Sequence, residues 1–118
     1  MAYRILILVP LALLVLGVLF FMLRPGSTAG PQEQTIDVAI KEGSMSPEEI
    51  VVGEGDQVTL RMVSESPVEV HVHGYDLEED IEPGEPKTLS FEANATGRFE
   101  IEDHENEEEL GTLVVEPR

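Results

Sequence analysis

Val68-Glu69-Val70-His71-Val72-His73-Gly74-Tyr75-Asp76 decides how this chain folds. Valine alternates with polar residues and the pattern then stops at a glycine. Successive side chains of a β-strand point to opposite faces, so Val68, Val70 and Val72 share one face while Glu69, His71 and His73 share the other. The valines supply a strip of core. His71 and His73, roughly 7 Å apart along the backbone, can lean toward one metal ion. The stretch is answered by Phe99-Glu100-Ile101-Glu102-Asp103-His104, and these two segments hold all three histidines of the chain.

Working outward, the same period of two recurs. Thr35 to Ile40 alternates polar and apolar residues. Ile50-Val51-Val52 follows Ser46-Pro47, and Gly53-Glu54-Gly55-Asp56 reads as a turn. Gln57 to Val63 places Val58, Leu60 and Met62 on one face. Pro83-Gly84 turns the chain into Leu89 and Phe91, Asn94 to Gly97 turns it into Phe99 and Ile101, and Leu113 and Val115 close the pattern before Pro117. Seven or so short strands with turns every 8 to 12 residues predict an all-β fold, a β-sandwich. No stretch of this region reads as a helix.

The N-terminus is of another kind. Ile5 to Leu23 is apolar apart from Pro10 and Gly17, flanked by Arg4 and Arg24, and at about 1.5 Å per residue it comes to about 28 Å, close to a hydrocarbon core. Residues 1–24 are therefore expected to be a membrane anchor or a signal segment. The length favours a retained transmembrane helix over a cleaved signal, although Ser27-Thr28-Ala29 offers small residues of the kind a signal peptidase takes. Residues 25–34, rich in glycine and proline, read as a flexible linker. Residues 35–118 are then one small domain, expected to face the periplasm or cell exterior as part of a single-pass cell-membrane protein.

The chain of 118 residues carries a net charge of −17 at pH 7, with 24 acidic and 7 basic residues and no cysteine. Every acidic residue lies after Arg24, so the domain is a strongly acidic surface that repels nucleic acid and anionic lipid. Adaptation to high salt and enrichment of cations near a metal site both account for such a surface. Without cysteine no disulfide staples the domain, and a blue electron-transfer copper centre, which needs a thiolate, is excluded.

Taken in order, Ser46 to Leu60, Val70 to Asp76, Ile81 to Glu85, Thr96 to His104 and Leu110 to Pro117 resemble a cupredoxin domain, and more narrowly the EfeO-type cupredoxin-like domains of bacterial envelope proteins. The resemblance covers most of the chain after Thr35. It implies a Greek-key sandwich with a metal site at one end, one ligand coming from near His73 and the others from the last inter-strand loop. Where the family carries its cysteine this chain has Asp103, and where it carries methionine this chain has Glu109 or Leu110. His71, His73 and His104 remain as nitrogen donors, with Asp103 and Glu109 as oxygen donors.

Nitrogen and carboxylate oxygen together bind Cu(II) more tightly than other first-row divalent ions, so copper is expected ahead of iron or zinc. The functional expectation is a membrane-anchored, cell-envelope protein that binds copper at a non-blue, histidine-rich site and handles the metal as carrier or sensor, with any envelope partner protein unspecified. The alternative is a metal-free β-sandwich serving as an interaction module. Catalysis is not expected: no nucleophile elbow, ordered triad, phosphate loop or nucleotide fingerprint is present.

Overall fold

The structure, a computed structural model, describes residues 2–22 and 30–118. After helix α1 (Ala2–Met22) come nine strands: β1 (Glu33–Lys41), β2 (Ser44–Ser46), β3 (Glu49–Gly53), β4 (Gln57–Ser64), β5 (Val68–Val72), β6 (Leu77–Ile81), β7 (Lys87–Glu92), β8 (Gly97–Asp103) and β9 (Glu108–Glu116). Alternation in the sequence becomes alternation in burial. Along β4, Val58, Leu60, Met62 and Ser64 are buried and the residues between them are not. Along β5, Val68, Val70 and Val72 are buried, while Glu69 and His71 are half-buried on the other face.

The strands form two sheets, β2-β1-β4-β7 and β3-β9-β8-β5-β6. The pairs β1–β4 and β3–β9 are parallel and the others antiparallel. Parallel neighbours cannot be joined by a tight hairpin. Between β1 and β4 the chain therefore turns into β2, crosses to the second sheet as β3, and returns. The facing sides of the sheets make one core, in which Leu60, Met62, Ile81 and Leu113 are the largest fully buried apolar side chains. Each such residue contributes on the order of 1.5–3 kcal/mol by leaving water.

Two strands exceed the seven or so expected from the sequence. Strand β2 is only three residues long. Strand β6, Leu-Glu-Glu-Asp-Ile, lies at the edge of its sheet with Ile81 buried and Glu78 and Asp80 exposed. Its carboxylates hide the apolar signal, and charges of this kind keep an exposed edge from pairing with another chain.

The expected membrane location is corrected. Among the described residues no helix is long and apolar enough to cross a membrane. This finding overturns the expected transmembrane helix and single-pass placement facing the periplasm or cell exterior. Leu23, Arg24, the 25–29 part of the expected linker and its Ser27-Thr28-Ala29 lie outside the described residues.

The two ends of the sandwich domain meet at a buried carboxylate. Asp56, fully buried, accepts hydrogen bonds from the backbone N–H groups of Gln32 at 2.8 Å and Gly53 at 2.9 Å, from Gln34 Nε2 at 2.9 Å and from Arg118 Nη2 at 2.6 Å. These donors, the Gln32 N–H foremost, outweigh the cost of burial and hold its pKa down to about 2. The folded value lies below the ordinary 3.8, so the stability this group confers is complete above about pH 4 and is lost as pH falls toward 2. Asp56→Asn should lower the melting temperature at pH 7, since an amide NH₂ would then face donors, and should flatten the loss between about pH 4 and 2. Thermal melts of both proteins from pH 7 to 2 check both effects. An unchanged acid profile in the variant would show that other carboxylates control it.

Candidate metal centre

Pairing of β5 with β8 builds the site. In this ladder Val70 stands opposite Asp103, His71 opposite Glu102 and Val72 opposite Ile101. Paired residues of neighbouring strands share a face, so Val72 and Ile101 enter the core while His71 and Glu102 meet on the outer face of the sheet. The ladder runs on at both ends. The His73 N–H donates to the Glu100 carbonyl at 2.9 Å and the His104 N–H to the Glu69 carbonyl at 2.8 Å. Both flanking histidines thereby stand on the same two-strand ribbon. The site lies on the outer face of the sheet, a correction to the sandwich end expected from the family resemblance.

All three imidazoles converge on one oxygen. Glu102 Oε1 lies 2.5 Å from His73 Nε2, 3.3 Å from His71 Nδ1 and 3.6 Å from His104 Nδ1. The His71 ring centroid is 4.6 Å from that of His73 and 5.6 Å from that of His104. Glu78, opposite His71 on β6, brings a second carboxylate to 3.9 Å from His71 Nε2. His71 and Glu102 form the covered centre, with side chains 16% and 18% exposed, and His73 and His104 the open rim, at 46% and 57%.

Local packing fixes the rim. Gly74, with φ of 82°, turns the chain directly after His73 in a conformation that favours glycine. A Cβ there would overlap the Phe99 ring. Tyr75 then locks the turn: its ring packs against Phe91 and Phe99, and its hydroxyl donates to the Ala95 carbonyl at 2.6 Å and accepts from the Ala95 N–H at 3.0 Å. On the other side, a register shift in the β8–β9 ladder falls between Ile101 and Glu102, with Ile101 opposite Gly111 and Glu102 opposite Glu109, leaving Leu110 as the extra residue. A bulge of this kind re-aims side chains next to a site. Gly111 is required there, because a Cβ would run into the Glu48 carbonyl and the Met45 side chain.

Of the residues expected as ligands, His71 and His73 join Glu102 in a group whose donor atoms all lie within 4.8 Å of one another. His104 stands at its edge through its contact with Glu102. Asp103 is not brought to them. It is buried on the core side, where its carboxylate accepts the N–H groups of Glu69 at 3.3 Å and Glu105 at 3.2 Å and the Asn106 amide at 2.6 Å. Those bonds tie down the loop that carries His104. Glu109 lines a separate shallow depression with Ser44, Glu48 and Glu49. Glu102, the hub of the cluster, is the residue the sequence reading missed. Its signal was the alternation that put Ile101 inside, which leaves Glu102 outward beside whichever strand pairs with β8.

The donor set fits a borderline divalent ion. Imidazole nitrogen and carboxylate oxygen together suit copper or zinc, whereas a blue centre needs a thiolate, and the chain has no cysteine. Residues 12–115 match the family model of the cupredoxin-like domain. The chain belongs to that family. A search of curated proteins finds no match.

Solved structures share the fold. The metal binding domain of the Streptococcus pneumoniae D39 Cu(I)-exporting P-type ATPase CopA, with Cu(I), is 19% identical with a TM-score of 0.64, covering 76% of this chain and 98% of that one. A copper binding protein determined by NMR in its apo form is 20% identical with a TM-score of 0.61, covering 74% and 97%. The multicopper oxidase mgLAC is 22% identical with a TM-score of 0.62, covering 73% of this chain but 39% of its own. The chain thus spans about two fifths of that oxidase. Metal-binding domains and oxidases alike occur among the neighbours.

Electrostatics tie His73 to Glu102. The hydrogen bond that the protonated His73 ring donates to the Glu102 carboxylate raises the His73 pKa above the usual 6.5, with the charges of Glu102 and Glu100 adding to it and burial opposing it. The Glu102 carboxyl is held below its usual value, first by His73 and then by His71 and His104. With its folded pKa raised, His73 stabilises the metal-free fold fully below pH 6.5, and this contribution disappears as pH rises through the elevated value. In an NMR titration of the metal-free chain the His73 ring should therefore show its midpoint above 6.5, and Glu102→Gln should bring that midpoint down. A midpoint unmoved by the substitution would mean that Glu102 does not hold the His73 proton.

Proposed function

We propose that the sandwich domain binds a copper ion through His71, His73 and His104 together with the Glu102 carboxylate, and that it handles the metal as a carrier or sensor without blue-copper electron transfer. One observation carries the reading. Every histidine of the chain is gathered around a single carboxylate oxygen on one face of one sheet. The family supports it, and so do neighbours that are described as a Cu(I)-bearing metal binding domain and a copper binding protein. The likeness to EfeO-type domains belongs to the same reading, since the positions of the family's cysteine and methionine hold no sulfur here. Catalysis forms no part of it.

The residues divide the work. Glu102 and His71, half-covered at the centre, are preset by strand pairing. His73 and His104, at the rim, stand where an ion would meet them first. In the metal-free state the Glu102 carboxylate holds the rings together, so the donors are gathered before the cargo arrives and little ordering is left for binding to accomplish. The cation takes over the role of the shared proton on His73, and uptake is accompanied by proton release.

Copper at a hundredfold excess over its dissociation constant stabilises the fold by about 2.7 kcal/mol, and each kcal/mol moves the melting temperature of a small domain by roughly 4 to 8 °C. Cu(II) should accordingly raise the melting temperature of the full chain by about 10 to 20 °C. The triple change His71→Ala, His73→Ala, His104→Ala should abolish the shift and leave the metal-free fold intact by circular dichroism. If neither copper, zinc nor iron moves the wild-type melt, the interaction-module reading takes the place of this one.

Colour provides a separate check. The copper-loaded protein should lack the intense blue absorption of a thiolate centre and should give the wide Cu(II) hyperfine splitting of nitrogen and oxygen ligands. A narrow splitting would contradict the ligand set.

A further inference from the structure

The donors around Glu102 contain no sulfur. The chain has no cysteine and four methionines. Met45 and Met62 are buried in the core at 3% and 1% exposure, and Met22 belongs to α1. Met1 lies outside the described residues. Neither β5, β6 and β8 nor the connections that follow His73 and His104 contain a methionine. Thioether and thiolate are the ligands that select Cu(I), while imidazole, carboxylate and water suit the divalent ions.

Charge points the same way. Glu102 stands at the centre and Glu78 lies 3.9 Å from His71 Nε2. Glu69 and Asp80 are paired on the same outer face, two positions from His71 and Glu78. Among the described residues, Lys87 is the single cation lining the depression formed with Glu69, Glu78, Glu79 and Asp80. Coulomb attraction scales with the charge of the ion, so carboxylates so placed favour a divalent ion over a monovalent one of similar size twice over.

We infer that this face discriminates copper by oxidation state, holding Cu(II) and disfavouring Cu(I). The inference rests on the copper site proposed above and deepens it by naming the form of the metal. It sets this chain apart from the S. pneumoniae domain of like fold, which is described with Cu(I).

The test measures both ions on the full chain, Cu(II) by competition with nitrilotriacetate and Cu(I), under anaerobic reducing conditions, by competition with bicinchoninate. Cu(II) should bind at least about a hundredfold more tightly. His73→Met, which introduces a thioether at the rim, should narrow that ratio at least about tenfold. Glu102→Gln should weaken Cu(II) at least about tenfold more than Cu(I). Glu78→Gln, on an exposed position of the edge strand, should do so to a smaller degree and serves if the Glu102 variant misfolds. Equal or tighter binding of Cu(I) by the unaltered chain overturns the inference and leaves the histidine site standing. Failure to bind either ion overturns the site and the inference together.

Discussion

The register between β5 and β8 is the constraint on which the rest depends. One pairing, with His71 opposite Glu102, sends Val70, Val72 and Ile101 into the core and the histidines out of it. Because the side-chain period of a strand is two, a slip of one residue would reverse both assignments at once, burying imidazoles and exposing valines. The hydrophobic effect on the inner face therefore enforces the geometry of the polar cluster on the outer face. Packing energy sets the register that brings the donors to one face, where the Glu102 carboxylate gathers the rings.

This division of labour suits a small domain without disulfides. The outer face is free to be polar because the apolar core is built from the facing inner sides of the two sheets. Asp103 shows the same logic on the other side of the sheet. There it is a buried loop anchor satisfied by Glu69, Glu105 and Asn106. The loop it ties down positions His104 on the sheet face.

Much of the fold could be read from alternation alone. Gln57 to Val63, Val68 to Val72 and the apolar pairs of the last three strands are strands in the structure as the period of two required. Strand β6 escaped because three of its five residues are acidic, and β2 because three residues carry no period. Within the cluster, His71 and His73 were legible as neighbours on one strand face. Glu102 was not, since its place depends on which strand lies beside β8, a contact between residues some thirty positions apart that no local pattern encodes. The bulge at Ile101 and Glu102 is hidden for the same reason. Family positions drew attention to Asp103, whose side chain bonds the backbone and loop around His104 instead, and to Glu109, which stands opposite Glu102 on the next strand.

Asp56 has a consequence for how such a unit is used. Gln32 at the entry to the first strand and Arg118 after the last both bond to its carboxylate, so the chain enters and leaves the sandwich at nearly the same point in space. A module with adjoining ends can be spliced into a longer polypeptide, or have its ends joined and new ones opened at an exposed turn such as Pro83-Gly84, without displacing either sheet. The shared fold of this chain and of a segment making up 39% of a multicopper oxidase is what such portability produces: a cassette whose core is indifferent to what is attached at its seam.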